Sequence, residues 1–341
     1  MQRYLNFIDG AFCGPASDAW LSVFEPATGR ESGEVAASDE RDVARAVDAA
    51  SRAFPAWAGR PASERSACLE AWADWVEAHA SELAEAESRD TGKPRAVAAA
   101  VDIPRAALNL RFFASAVRHA ASESYVTQTS AGEAVNVVHR QPLGVAACIA
   151  PWNLPLYLFT WKLAPALASG CTVVGKPSEV TPVTATRLAE GAMAAGLPAG
   201  VFNVVHGAGG TAGAALVREP RVAAVTFTGS TSTGAWIARE AGPRFKRVSL
   251  ELGGKNATVV FADADLDRAV PEVVRAGFSN QGQICLCGSR LLVEASVAEE
   301  VIAAALERVQ SLRVGDPEED STQVGAVVSA EHRDRIESAI E

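Results

Sequence analysis

The chain has 341 residues, 48% hydrophobic and 21% charged, with 41 acidic against 31 basic side chains and a net charge of −10. That acidic balance argues against the basic face that nucleic acid or an anionic membrane surface demands, and no apolar run reaches the length of a membrane span. The opening "MQRYLNFIDG" has neither a signal peptide's apolar core nor a transit peptide's Arg–Ser bias, so a cytoplasmic protein is expected.

After a short extended N-terminal segment, three helical stretches follow. "SDERDVARAVDAASRAFPAWA" opens on a Ser38/Asp39 cap signal and repeats Val43, Val47, Ala50 and Phe54 at helical spacing. "ASERSACLEAWADWVEAHASELAEAESRDTG" continues the pattern through Leu69, Trp72, Val76 and Leu83 and stops at Gly92. "AVAAAVDIPRAALNLRFFASAVRHA" is the third, with Pro104 near its start or at a kink. Residues 123–140 change to Val, Thr and Tyr around "SAGE", a β-hairpin turning near Gly132. From residue 143 short apolar runs ("VAACIAP", "CTVVGKP", "FNVVHG", "VAAVTFTG", "RVSLELGG") alternate with helical stretches. This is the α/β pattern of a parallel sheet covered on both faces, whose ligands bind at the carboxyl ends of the strands. A further unit begins at "NATVVFADADLDRAV", and the last residues, "HRDRIESAIE", lie inside a helical pattern.

The chemistry-bearing residues gather at the strand ends. "GAGGTAG" at 207–213 follows a strand, but Ala212 stands where a dinucleotide fingerprint wants its third glycine, and no acidic residue closes the unit. A plain helix-start turn explains the glycines equally well. Six cysteines at irregular spacing make no disulfide framework; Cys13, Cys68, Cys148 and Cys171 read as small hydrophobes. Cys285 and Cys287, in "SNQGQICLCGSR", leave three readings: half a metal site, a redox pair, or one working thiol beside a bystander. No nearby His/Cys cluster completes a metal site, so none is expected. The only lysines are Lys93, Lys162, Lys176, Lys246 and Lys255, which in so arginine-rich a chain hints that each needs a compact ammonium.

"APWN" at 150–153, "GKPSE" at 175–179, "FTGSTSTG" at 227–234, "LELGG" at 250–254 and "NQGQICLC" together resemble the aldehyde dehydrogenase superfamily, in that order and spacing. Within it, "DIPRAALNLRFFAS", "APWNLPLYLFTWKLAPAL" and "SLELGGKN" are most similar to the 2-aminomuconic and 2-hydroxymuconic semialdehyde dehydrogenases. The resemblance implies an NAD-binding domain from 1–121 and 141–252, an oligomerisation hairpin at 122–140 and a catalytic domain from 253 onward, incomplete because the family's final quarter is lacking. It implies a homo-oligomer, dimer or tetramer, when full length, and a small aldehyde as the partner molecule.

It also assigns roles. Cys285 becomes the nucleophile that adds to the aldehyde carbonyl, Glu251 the base that activates water against the thioester, and Asn153 an oxyanion donor with the Cys285 backbone N–H. Without the other motifs, Asn153 would read as a helix N-cap. Lys176, Ser178 and Glu179 would grip the adenosine ribose, a carboxylate there favouring NAD over NADP. Gly229 and Ser230 would meet the pyrophosphate at a helix start, with Gly209 and Trp152 lining the same cleft. Leu154, Tyr157, Leu158 and Trp161 fall on one helix face. Core packing is the ordinary explanation for such a stripe; the resemblance makes it the wall of a substrate tunnel. Arg105 lies off the apolar stripe of Ile103, Ala107, Leu110, Ala114 and Val117; the residues alone favour a solvated arginine, while the resemblance implies a carboxylate-binding guanidinium.

Overall fold

The structure, a computed structural model, describes residues 2–341. The N-terminal extended segment turns out to hold five strands: β1 (Gln2–Tyr4), β2 (Asn6–Ile8), β3 (Ala11–Cys13), β4 (Trp20–Phe24) and β5 (Glu31–Ala36). β2 and β3 form a two-residue hairpin whose turn, Asp9–Gly10, has both φ angles positive, the geometry that an Asp-Gly pair favours.

Helix α1 (Glu40–Ala58) starts from a capping box between Asp39 and Asp42 and buries Val43, Val47 and Ala50. The second helical stretch is not continuous. α2 (Ala62–Ala78) and α3 (Ala80–Thr91) break at His79, where the backbone N–H and ring Nδ1 both turn onto the Trp75 carbonyl. Gly92, at φ 77°, ends α3 in the left-handed conformation that glycine adopts freely. The third stretch is α4 (Arg95–Val97), a π-helical turn (Ala98–Asp102) and α5 (Ile103–Arg118), with Pro104 in the first turn of α5. β6 (Ser124–Thr129) and β7 (Gly132–Val137) form the expected hairpin.

The alternating region builds β8 (Val145–Ile149), α6 (Pro155–Ala168), β9 (Thr172–Lys176), α7 (Val183–Ala194), β10 (Phe202–Val204), α8 (Ala214–Arg218), β11 (Val222–Gly229), α9 (Thr231–Ala241) and β12 (Arg247–Leu252). They form a seven-stranded sheet ordered β12-β11-β8-β9-β10-β2-β3, with the first five mutually parallel and the β2–β3 hairpin antiparallel at the edge. Both faces are buried. Along β9, Val173 enters the core with Trp72, Phe159 and Phe202, while Val174 enters the opposite one with Val43, Leu216 and Ile237. Chain order runs outward from β8 in both directions, so the crevice between β8 and β11 is a topological switch point. β13 (Ala257–Val260) and β14 (Arg290–Val293) make a separate parallel pair, covered by α10 (Leu266–Phe278) and α11 (Ala298–Gln310) around Val260, Val270 and Val301. α12 (Ala330–Ile340) closes the described chain. Among the described residues no helix is long and apolar enough to cross a membrane.

Candidate active site

Because β8 to β12 run parallel, Ile149, Lys176, Val204, Gly229 and Leu252 end at one edge of the sheet. At the switch point a cleft of about 630 Å³ opens between α8 and α9, lined by Ile149, Glu179, Gly209, Gly210, Phe227, Ser232 and Thr233 among others. A Cβ added at Gly209 or Gly210 would meet nothing within 4 Å, so a ligand can approach this backbone closely. Glu179 accepts from the Gly209 N–H at 3.1 Å and from the buried Lys176 ammonium at 2.7 Å. Burial would raise the Glu179 carboxyl; the adjoining ammonium outweighs it, and the group sits below its ordinary range. Ser230 caps α9, its Oγ accepting from the Thr233 N–H at 3.2 Å, directly after Gly229. The buried Ser178 accepts from the Val180 N–H at 3.3 Å. Trp152 lies elsewhere: its ring meets His332 of α12 edge-on at 4.8 Å, so it joins the loop after β8 to α12 instead of lining this cleft.

The cysteine loop docks on the loop after β8. Three successive residues, Asn280, Gln281 and Gly282, have positive φ (51°, 57° and 73°), which costs free energy at the two non-glycine positions. Long-range bonds hold this shape. Asn280 Nδ2 donates to the Asn153 carbonyl at 3.1 Å, and Asn153 Nδ2 donates to the Gln283 carbonyl at 2.7 Å. Asn153 therefore spends one amide hydrogen on the loop and keeps the other, while its buried Oδ1 has no partner. Cys285 is half-buried, with its carbonyl fixed by Asn256 Nδ2 at 2.6 Å. Cys287 is buried, and burial pushes its thiol above the ordinary range.

Glu251 is exposed on β12, in register with Thr228 of β11, so the two side chains share a face. Lys162 of α6, itself buried, donates to Thr228 Oγ1 at 2.6 Å, and burial brings its ammonium down to about 8. Glu251 and Lys162 line one cavity of about 390 Å³ with Phe113 and Trp161.

On α6 the core face is Leu156, Phe159, Leu163 and Leu167; Leu154, Tyr157 and Leu158 are only half-buried and Trp161 is 41% exposed. Core packing thus fails to explain that stripe. Arg105 of α5 is exposed, with its guanidinium 5.5 Å from the Tyr157 ring centre and 5.9 Å from that of Trp161. It pairs with none of the described carboxylates. Arg111, six residues on, is held by Glu70, Asp74 and Glu77.

The model of the aldehyde dehydrogenase family matches residues 13–341. The chain belongs to the aldehyde dehydrogenase family. It is 44% identical over 335 residues to a 2-aminomuconic semialdehyde dehydrogenase of Mus musculus, covering 98% of this chain and 68% of the relative. To a 2-hydroxymuconic semialdehyde dehydrogenase of Pseudomonas sp. (strain CF600) it is 45% identical over 339 residues, covering 98% and 70%. Among solved structures it is similar to PnpE in complex with nicotinamide adenine dinucleotide, at TM-score 0.95 and 42% identity, covering all of this chain and 69% of that one. This dehydrogenase oxidises aldehydes with NAD as the acceptor.

Sequence reasoning left four residues of this dehydrogenase without a role: Lys93, Lys162, Asn280 and Gln283. The scarcity of lysine singled out the first two but could not say what they touch. The last two lie inside the "NQGQICLC" motif, but their bonds to Asn153 and to the Val328 N–H span the sequence and could not be read from it. Lys255 reaches only its neighbour's carbonyl, Gly254.

Proposed function

We propose that the substrate is a carboxylated, unsaturated semialdehyde of the muconic type, oxidised to the corresponding acid. The observation that carries this reading is the exposed Arg105 guanidinium, unpaired among the described residues, poised over Tyr157 and Trp161 on the helix that follows Asn153. A planar guanidinium grips a carboxylate through two parallel hydrogen bonds, and the two rings give the unsaturated chain an apolar wall. The printed names of the muconic semialdehyde relatives support the same class.

In this reading the Cys285 thiolate attacks the aldehyde carbon, forming a carbon–sulfur bond as the carbonyl electrons move to oxygen. The remaining Asn153 amide hydrogen and the Cys285 backbone N–H stabilise that oxyanion without protonating it. Glu179, Gly209, Ser230 and Gly229, with Lys176 and Ser178 behind Glu179, would hold NAD in the cleft at the switch point, which has the glycine access and helix start that a dinucleotide needs. Bound NAD supplies the hydride acceptor that lets the thiohemiacetal on Cys285 become a thioester. Glu251 then takes a proton from water, which attacks the thioester and frees the acid and the thiol. Residues 1–121 with 141–252 act as the NAD-binding domain and 253–341 as part of the catalytic domain. The chain works in the cytoplasm, which its acidic, framework-free composition supports, and as a homo-oligomer.

Replacing Arg105 tests the substrate. A hydrogen bond to a charged group contributes about 1.5–3 kcal/mol, so Arg105→Ala should cut kcat/KM by roughly 10- to 150-fold for a carboxylated semialdehyde and leave an uncharged aldehyde of similar size unchanged. Equal losses on both, or on neither, would reduce the assignment to an unspecified aldehyde.

A further inference from the structure

We propose that Lys93 and Asp102 are positioning residues for Asn153, an inference that rests on the reading of Asn153 as oxyanion donor. Lys93 and Asp102 are almost fully buried, 1% and 0% exposed, and their ion pair measures 2.6 Å. A buried ion pair is a poor way to stabilise a fold, because apolar side chains of similar volume often do as well or better. This pair is not even fully satisfied: the second carboxylate oxygen, Asp102 Oδ1, is buried without a partner. What distinguishes it is the other bond of the ammonium. Lys93 Nζ donates at 3.1 Å to the backbone carbonyl of Asn153, the same oxygen that Asn280 grips from the cysteine loop.

Asn153 lies between β8 and α6, outside regular structure, so its peptide is oriented by these contacts rather than by a helix or sheet ladder. Lys93 and Asn280 both hold the carbonyl, while the side-chain amide donates one hydrogen to Gln283 and keeps the other for the proposed oxyanion. Beyond Asn153, Glu87 accepts from the Leu156 N–H at 3.2 Å and fixes the first turn of α6. The π-helical turn at 98–102 brings Asp102 round to Lys93, as such widened turns do at functional sites. Three residues further on the same helix stands Arg105. The pair therefore ties the proposed oxyanion donor to the element that bears the proposed carboxylate-binding guanidinium.

The test compares Lys93→Met with the double variant Lys93→Met/Asp102→Leu in the full chain with NAD and a semialdehyde. A small displacement of an oriented group costs up to roughly 100-fold, so Lys93→Met should slow the first-turnover NADH burst by about 10- to 100-fold while leaving KM for NAD unchanged. Single replacement strands a buried carboxylate and lowers the melting temperature. The double variant should regain the melting temperature and not the burst rate. Recovery of both, or an unaffected burst in Lys93→Met, would make the pair structural only and overturn the proposal. Asn153→Ala, run in parallel, separates the two readings. A burst untouched by Asn153→Ala overturns the oxyanion role and this inference with it; a burst slowed by Asn153→Ala alone overturns only the positioning role.

Discussion

Cys285 and Cys287 stand two positions apart and meet different surroundings. Burial holds the Cys287 thiol up, with Sγ 3.8 Å from the Ser279 carbonyl, so near neutral pH it stays protonated and unreactive. Cys285→Ala should therefore abolish NADH formation and Cys287→Ala retain most of it. Comparable losses, or metal in the purified protein, would return the redox or metal reading. Glu251 offers a second test, because an amide of the same shape cannot deprotonate water. Glu251→Gln should give a burst of about one NADH per active site followed by slow turnover. A proportional loss of the burst itself would mean that Glu251 acts before the thioester forms.

Helix α3 illustrates how an element inside the fold carries a pH dependence. Its Glu87 is fully buried, accepting from the Leu156 N–H and from Thr184 Oγ1 at 2.7 Å. Burial first, with nearby Asp102 adding and Lys93 opposing, raises its carboxyl to about 7. Between the unfolded value of ~4.3 and that point, the folded chain holds a proton that the unfolded chain has released. Stability contributed by this group is thus full below ~4.3, falls as pH rises towards 7 and is flat above, by at most about 1.4 kcal/mol per pH unit. Glutamine keeps the shape of the side chain and an acceptor for the Leu156 N–H, and it does not titrate. Urea unfolding near pH 5 and near pH 8 should show Glu87→Gln losing less stability across the interval than the parent chain. Parallel losses would mean that Glu87 is ionised throughout.

At the scale of the molecule, the β6–β7 hairpin is the feature left least covered. Val126 and Val135 pair across its strands at 59% and 71% exposure, and Val137 shares their face at 64%. If that face seats a second copy, Val135→Glu should lower the mass seen by sedimentation without changing the far-UV circular dichroism; an unchanged mass would remove the hairpin from the interface. Composition, strand–helix alternation and the residues at the strand ends were legible in the sequence because each is local: a period, a cap, a turn residue. The β2–β3 hairpin went unread as part of an extended segment, since three-residue strands are too short for a period to mark them. The break at His79 was not legible either, since one side chain bonding back to Trp75 overrides an otherwise continuous helical pattern. Family membership followed from five local motifs, which also hold the residues proposed to carry the chemistry. Only the tertiary structure decided which of those residues meet. Register set Glu251 beside Thr228, and burial set the difference between the two cysteines. Lys93, Asn153 and Asn280 share one carbonyl across separations of 60 and 127 residues, because a polar atom taken out of water must find its partner wherever the chain brings one.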